Sequence, residues 1–329
     1  MQKILDKMKT RAHKLLESAA VDAVLAWKSG DLSYDNAPAF FKDTGSLNCL
    51  VYDGFCSSNL SKYLVEKSKT GEKTLVFLKP CDTYSLNQLL GEHRVSRENV
   101  YVIGIGCSGG LDIEKIRDKG IRGITQVAPL QDSEVLNIST IYGEKSCIRQ
   151  EVLLEKCLSC KGKEHKIFDE LLGEDLSVET AQGDKFSQVT EIEEKTSDER
   201  FDFWRGLLSK CIRCNSCRNI CPACTCVQCV FDNAGSGVAA KVNATEFEEN
   251  MFHIIRAFHV AGRCSDCGEC SRACLQGIPI HLLNRKFIKD MNNFYGDFQA
   301  GETAELSSPL LCYDFGDVEP NVISERKGD

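Results

Sequence analysis

The stretch Cys211-Ile-Arg-Cys-Asn-Ser-Cys-Arg-Asn-Ile-Cys-Pro222 determines the organisation of the second half of this chain. Its cysteines follow the spacing C-x2-C-x2-C-x3-C, and the same spacing recurs from Cys264 to Cys274. Three thiolates at three-residue intervals can hold three irons of one 4Fe–4S cube, whereas the fourth ligates the other cube of a two-cluster ferredoxin. We therefore predict two crossed clusters. The first takes Cys211, Cys214, Cys217 and Cys274, and the second takes Cys264, Cys267, Cys270 and Cys221.

Zinc is the rival metal, because it also binds four thiolates. Zinc sites usually come as separated C-x2-C pairs rather than as runs of four cysteines. The spacing therefore favours iron and sulfide, and a zinc-stabilised docking adaptor is the weaker hypothesis.

Composition restricts the classes of protein that the chain can belong to. With 329 residues it has room for two domains, and its 19 cysteines are too dispersed for a small secreted disulfide scaffold. A net charge of -8 disfavours nucleic acid or an anionic membrane as the main partner. The charged amphipathic start, residues 1–20, does not resemble a signal peptide, and no run is long enough for a membrane span. We expect a cytoplasmic protein whose clustered thiols bind metal.

The first half alternates between strand and helix patterns. An amphipathic helix is expected over residues 4–19, and further helices over 57–69, 83–90 and 112–119. Strands are expected at residues 21–27, 50–52, 74–78, 100–105 and 124–127. This alternation predicts an α/β domain with a mainly parallel sheet over residues 1–175.

The second half shows helical patterns around both cysteine motifs. Capping boxes are expected at Thr196 with Glu199 and at Thr245 with Glu248. A buried stripe before the first motif is expected from Phe201, Trp204, Leu207 and Leu208. One helix face before the second motif carries Phe247, Met251, Ile254, Ile255 and Phe258, and a further helix after it is indicated by Leu282, Leu283, Phe287 and Met291. We predict an acidic linker at 176–198, a mostly α-helical two-cluster ferredoxin domain at 199–295 and an extended tail with little to bury at 296–329.

Four cysteines of the first half form a third candidate set. Cys81 and Cys107 each end an apolar run, and if these runs are neighbouring parallel strands, their carboxyl ends lie side by side, where open sheets place ligands. Cys157 and Cys160 add a C-x2-C pair. Spacing alone leaves two interpretations open, a third cluster or small buried thiols at strand ends.

Three short motifs of the first half occur in the order seen in a known family. They are Lys79-Pro-Cys-Asp82, Ile103-Gly-Ile-Gly-Cys-Ser-Gly-Gly110 and Lys156-Cys-Leu-Ser-Cys160. Residues 21–175 thereby resemble the beta subunits of deazaflavin-dependent hydrogenases and formate dehydrogenases. The resemblance implies that Cys81, Cys107, Cys157 and Cys160 hold a 4Fe–4S cluster, and that the fold binds a flavin (FAD) which exchanges hydride with the deazaflavin.

The cysteine-rich second half resembles a different group of proteins. Residues 198–291 are similar to the helical ferredoxin domains in the iron–sulfur subunits of heterodisulfide and fumarate reductases. One departure is that Leu275, not proline, follows Cys274.

The remaining motifs carry weaker signals. Gly104, Gly106 and Gly109 spell G-x-G-x-x-G, but Ile124-Thr-Gln-Val127 lacks the acidic residue of a dinucleotide site, so we expect these glycines to make room for a cluster or a flavin edge. Cys224, Cys226 and Cys229 form a candidate further metal site, with Cys147 or Cys312 as an additional ligand, or cover the neighbouring cube. We expect Cys49, Cys56 and Cys312 to be thiols rather than ligands, and His253 and His259 to be packing or surface residues.

These observations predict an electron-transfer subunit of a multi-subunit oxidoreductase, and no residue is assigned a catalytic role. The expected partners are a formate dehydrogenase module, a hydrogenase module or a heterodisulfide-reductase-like flavoprotein. The alternative is a flavoenzyme that itself exchanges hydride with a deazaflavin or nicotinamide coenzyme.

Overall fold

Apolar runs separated by turn residues form the strands of the first half, and this computed structural model describes residues 1–128, 134–162, 164–172, 184–233, 235, 246–306 and 308–310. The strands are β1 Ala23–Ser29, β2 Asn36–Phe41, β3 Leu50–Val51, β4 Thr74–Leu78, β5 Val100–Ile105, β6 Ile124–Val127, β7 Val135–Thr140, β8 Gly143–Ile148 and β9 Glu170–Leu172. The helices are α1 Gln2–Glu17, α2 Leu64–Ser68, α3 Pro80–Gly91, α4 Ile113–Asp118, α5 Glu155–Leu158, α6 Ser187–Glu193, α7 Ser197–Leu208, α8 Ser216–Asn219, α9 Glu246–Val260, α10 Glu269–Arg272 and α11 His281–Tyr295.

The main sheet has the order β2-β1-β4-β5-β9, and β3 also pairs with β1. Strands β1, β4, β5 and β9 run parallel to one another, while β2 and β3 run antiparallel to β1. All five residues of β4 are buried, as expected for a parallel strand that is covered on both faces. Helix α1 covers the sheet with an apolar stripe, which confirms the predicted opening helix. The stripe consists of Ile4, Met8, Ala12 and Leu15.

Strand β6 was expected in the parallel sheet, and this expectation is wrong. It pairs with β7 in a separate antiparallel sheet of order β6-β7-β8. The physical reason lies in the half-exposed character of β6, since Thr125 and Gln126 face solvent. A strand with one wet face suits an antiparallel sheet better than the interior of a parallel one.

Helix α3 lies between the sheet and the second half of the chain and is buried on nearly every side. Its polar residues find partners in both halves. Ser85 Oγ lies 2.7 Å from Ser265 Oγ, and Asn87 Nδ2 donates to the carbonyl oxygen of Gly301 at 3.1 Å. The predicted halves therefore share a packed and hydrogen-bonded interface.

The second half is helical, as predicted, and the capping box of Thr196 with Glu199 is present. The predicted burial is only partly right. Leu208 is buried, but Phe201 is 60% exposed. On α9, Phe247, Ile254 and Phe258 are exposed, because the helix turns a more polar face inward. That inward face carries Glu249, Phe252, His253, Arg256 and Val260. The second capping box includes Thr245, which lies outside the described residues.

The predicted linker and tail contain ordered contacts. Helix α6 lies within the predicted linker, its Val189 is buried, and Lys289 of α11 donates to Thr190 Oγ1 at 2.7 Å. In the tail, Ala300 and Ser308 are buried, so the expectation that it has little to bury is wrong for its described part. Residues 311–329 lie outside the described residues. The coarse expectation of an α/β first half followed by helices is confirmed.

Among the described residues, no helix combines the length and the apolar character that crossing a bilayer requires.

Gly301 tests the contact between the tail and α3. Its φ is +79°, and a Cβ atom added there would lie 1.8 Å from the carbonyl oxygen of Tyr84. We expect Gly301→Ala to lower the free energy of unfolding by about 2–4 kcal/mol, which combines left-handed strain with the steric clash. Gly71→Ala is the matched control, because its φ is +73° and nothing lies within 4 Å of the added atom. Urea denaturation measures both, and equal losses would contradict the packing of the tail.

Candidate metal centres

Both cysteine motifs adopt the same local backbone. The second and fourth residues after the first cysteine take positive φ in each motif, at Arg213 (54°) and Asn215 (62°), and at Asp266 (51°) and Gly268 (69°). Each motif then continues into a one-turn helix, α8 or α10. Positive φ is uncommon for residues other than glycine and persists where the surroundings impose it. The internal repeat predicted from spacing is therefore a repeat of backbone conformation.

Site 1 is a small cavity in the second half of the chain. Its lining includes the four cysteines that the sequence assigns to the first crossed cluster: Cys211, Cys214, Cys217 and Cys274. Because Cys274 comes from the second motif, the fold brings together ligands that are separated along the chain. Cys214 is exposed, so site 1 reaches the molecular surface.

Buried polar atoms without partners surround site 1. His253 lines the cavity and is buried, and neither ring nitrogen has a hydrogen-bond partner among the described residues. Burial, aided by Arg256 and Arg213, lowers the pKa of His253 to about 4. Unpartnered buried polar atoms are rare in folded proteins. The surroundings of site 1 therefore fit a bound group that offers polar atoms, as the sulfides of a cluster do.

Site 2 consists of the second crossed set: Cys221, Cys264, Cys267 and Cys270. The charges of Cys221, Cys267 and Cys270 all influence the thiol of Cys264, which places the four sulfurs near one another. Burial, the charge of Glu269 and that of Cys221 raise the pKa of Cys267 to about 12. Such thiols ionise when they coordinate a metal, because the metal charge replaces the proton.

Site 3 lies at the carboxyl edge of the main sheet. Leu78 of β4 pairs with Gly104 of β5 in a parallel register, which confirms the neighbouring strands that the sequence hypothesis required. Cys81 and Cys107 follow these strands and line, together with Cys157, a small cavity.

The loop backbone and the fourth cysteine complete site 3. The amide of Gly109 donates to Cys107 Sγ at 3.4 Å, and that of Gly110 donates to Cys157 Sγ at 3.2 Å. Burial and the charges of Cys107 and Cys160 raise the pKa of Cys157 to about 11, although Lys156 and the Gly110 amide act in the opposite direction. Cys160 therefore lies close to Cys157.

Sequence reasoning missed several residues at site 3. Cys56, expected to be an ordinary thiol, is buried and lines the cavity, as do Lys79 and Lys156. The Lys79 ammonium donates to the carbonyl oxygens of Cys56 (2.9 Å) and Ser58 (3.1 Å), and lies 3.0 Å from Asp82 Oδ2. The available signal was the i,i+3 spacing of Lys79 and Asp82 around Cys81, which allows an ion pair across one helical turn.

The glycine motif serves packing and the site 3 loop. A Cβ atom at Gly104 would lie 2.5 Å from Leu171 Cδ2, so the lack of a side chain at this position allows β9 to pack closely against β5. The carbonyl oxygen of Gly106 accepts a hydrogen bond from the Tyr52 hydroxyl at 2.7 Å, and Gly109 has φ +93° beside the cavity. Because β6, the strand after α4, belongs to another sheet, the motif lacks the βαβ unit of a dinucleotide fold.

The remaining cysteines occupy different surroundings. Cys224 packs beside Cys221 and Cys264, Cys229 packs with the apolar group around Phe231, and Cys226 is exposed. Cys147 packs against the apolar cluster beneath the antiparallel sheet, Cys49 is exposed, and Cys312 lies outside the described residues. Whether Cys224, Cys226 and Cys229 form a metal site stays a prediction.

Sites 2 and 3 are joined through the loop that carries Cys157 and Cys160. The Lys156 ammonium lies 3.1 Å from Glu269 Oε1 in the second motif. In addition, Arg285 donates to Ser159 Oγ at 3.0 Å and to Asp266 Oδ1 at 2.9 Å. These buried polar contacts fix the C-x2-C loop against the helical half.

The buried pair of Lys79 and Asp82 tests the framework of site 3. We expect Lys79→Met to lower the free energy of unfolding by about 3–5 kcal/mol, because it leaves a buried carboxylate without its cation. The double variant Lys79→Met with Asp82→Asn should lose less than the sum of the single variants, as measured by urea denaturation. Lys42→Met is the control, since its pair with Glu72 is exposed and contributes little. Additive losses would contradict the pairing.

Comparisons with known proteins agree with a redox subunit. No protein-family model matches the chain. It is 26% identical, over 84% of its length and 86% of the relative, to the beta subunit of the F420-dependent formate dehydrogenase of Methanocaldococcus jannaschii. It is 24% identical, over 66% of its length and 71% of the relative, to the beta subunit of F420-dependent formate dehydrogenase 1 of Methanococcus maripaludis.

A chain in the solved F420-reducing NiFe hydrogenase complex of Methanosarcina barkeri matches with a TM-score of 0.38 and 12% identity. The match covers 48% of this chain and 62% of that one. By its sequence similarity over most of its length, this chain is homologous to the beta subunits of F420-dependent formate dehydrogenases.

Proposed function

We propose that the chain is the iron–sulfur electron-transfer subunit of an oxidoreductase complex, with a 4Fe–4S cluster at each of sites 1, 2 and 3. The observation that carries this proposal is the convergence of cysteines from separate segments: the first crossed set lines site 1, three cysteines of the second set act on Cys264 at site 2, and Cys81, Cys107 and Cys157 line site 3. Bound clusters would supply one-electron redox chemistry. The chain's own residues hold them, bury them and set their electrostatic surroundings.

Ligand spacing supports iron–sulfur clusters over zinc. Zinc–sulfur bonds of about 2.3 Å place the thiolates of a tetrahedral site roughly 4 Å apart. Among the described residues, the only three ligand atoms found within 4.8 Å of one another belong to Cys211, Glu249 and His253. No three cysteine sulfurs of one site therefore meet the spacing of a zinc site among the described residues.

The arrangement of the sites supports a relay. Site 1 reaches the surface at Cys214, whereas Cys221, Cys267 and Cys270 of site 2 are buried. Site 2 shares helical contacts with site 1, because α8 packs against α10, and it meets site 3 through Lys156 and Glu269. An electron carrier needs one site at the surface, a buried site in the middle and a third site at the other end. Sites 1, 2 and 3 provide this arrangement in that order.

The relatives suggest the partners. The two beta subunits bear names that assign them to F420-dependent formate dehydrogenases. We infer that this chain likewise works with a formate dehydrogenase module, a hydrogenase module or a heterodisulfide-reductase-like flavoprotein.

Iron analysis of anaerobically purified protein tests the clusters. We expect Cys214→Ala and Cys157→Ala each to lower the iron content by about four atoms per chain, since each removes a ligand from one 4Fe–4S site. Cys49→Ala should leave the iron content unchanged, because Cys49 is an exposed thiol outside the three sites. A colourless protein with zinc in place of iron, or without an EPR signal after dithionite, refutes the proposal. Unchanged iron in Cys157→Ala removes site 3 alone.

A flavoenzyme is the second candidate, and a pocket beside site 3 favours it. The pocket has a volume of about 190 Å³ and shares four lining residues with the site 3 cavity: Met1, Tyr52, Asp53 and Gly54. A planar cofactor bound there would lie next to the cluster site, as one-electron transfer from a flavin requires.

Flavin analysis tests this second candidate. Gln126 lines the pocket, so Gln126→Trp should lower the flavin content while the iron content stays constant. Thr125→Trp is the matched control on the same strand, because Thr125 is exposed and does not line the pocket. Wild-type protein that retains iron but contains no flavin would leave only the relay.

A further inference from the structure

A buried guanidinium lies between sites 1 and 2. Arg256 of α9 is 2% exposed, and its Nη2 donates to the carbonyl oxygen of Cys217 at 3.0 Å. Among the described residues, no carboxylate pairs with Arg256, and its Nε and Nη1 have no hydrogen-bond partner. Burial by itself lowers the pKa of Arg256. The opposing effect of the thiol charges is larger, so the pKa is raised overall; these charges belong to Cys221, Cys270, Cys224 and Cys217. A cation so placed requires an anion that the protein itself does not provide.

A buried ammonium lies between sites 2 and 3. The side chain of Lys156 is 9% exposed and contacts the carbonyl oxygen of Ser57 (3.0 Å) and Glu269 Oε1 (3.1 Å). Its charge acts on Cys157 of site 3 and on Cys267 of site 2. Glu269 also binds Arg272, whose side chain is partly exposed, so two cations share this one buried carboxylate.

Buried cations next to clusters influence how readily each cluster accepts an electron. A 4Fe–4S cluster bound by four thiolates is an anion, and each electron that it accepts adds one negative charge. In a buried site of low dielectric constant, neighbouring anions repel strongly, so reduction of one cluster opposes reduction of the next. Net charge near a cluster is among the factors that set its reduction potential.

We propose that Arg256 and Lys156 are charge-compensating positioning residues of the relay. Arg256 offsets the charge shared by sites 1 and 2, and Lys156 offsets the charge shared by sites 2 and 3. This inference rests on the proposed function, because it requires clusters at the three sites. The two residues keep each pair of neighbouring clusters reducible within a common range of potential.

Redox titration followed by EPR tests the role of Arg256 in anaerobically purified full-length protein. We expect Arg256→Met to retain its iron, to shift the midpoint potentials of the site 1 and site 2 clusters to more negative values, and to leave site 3 unchanged. Arg256→Lys keeps the charge and should restore the wild-type potentials. The signals are assigned by their loss in Cys214→Ala and Cys157→Ala.

The same titration separates Lys156 from Arg256. Lys156→Met should shift the site 2 and site 3 potentials to more negative values and leave site 1 unchanged, whereas Lys156→Arg should match the wild type. Lys289→Met is the control, because Lys289 pairs with Glu193 and Thr190 on the outer helices and should move no potential.

The outcomes distinguish this inference from the proposed function. Absence of iron from the wild-type protein overturns the proposed function itself. Full iron content with unmoved potentials in both Met variants overturns only the role of the two cations. If Arg256→Met or Lys156→Met loses iron, retention of iron in the charge-conserving variant supports the inference. Loss of iron in that variant as well overturns it, because shape rather than charge would then matter.

Discussion

Burial of many thiols close together is the constraint on which the rest of this structure depends. Burial and mutual repulsion both oppose the ionised form of the thiols at sites 2 and 3, whereas positive charge buried beside them favours it. Lys79, Lys156 and Arg256 provide that charge, and each is fixed by hydrogen bonds to backbone carbonyl oxygens. A buried cation is itself costly unless anions surround it. Ionised thiols and buried cations stabilise one another, whereas protonated thiols leave the cations uncompensated.

The same constraint explains why the two halves pack so closely. Site 3 lies at the carboxyl edge of the main sheet, and site 2 lies in the helical half. The pair of Lys156 and Glu269 crosses between them, while α3 is buried between the sheet and the second cysteine motif. The buried polar residues of α3 have hydrogen-bond partners in both halves; Ser85, for example, bonds to Ser265. An interface built from buried polar pairs tolerates little relative movement of the two halves.

Homology to formate dehydrogenase beta subunits is independent of the cysteine geometry and agrees with it. The similarity extends over most of the chain and most of both relatives. At sites 1 and 3, the cavities are lined by cysteines of the sets that spacing and resemblance predict. The pocket beside site 3 adds a place where an organic cofactor would contact the same edge of the sheet.

Local patterns allowed the sequence by itself to determine the strands at 74–78 and 100–105, the opening helix, the capping box at Thr196 and the repeated cysteine motifs. These features depend on residues close together along the chain, where periodicity and spacing are informative. Only the tertiary structure decided that β6 leaves the main sheet, that α9 buries Arg256 while Phe258 stays exposed, and that Cys56 and Lys79 join site 3. Each of these depends on contacts between distant segments. A helix or strand pattern shows that one face differs from another, but the charge and shape of the neighbour decide which face is buried.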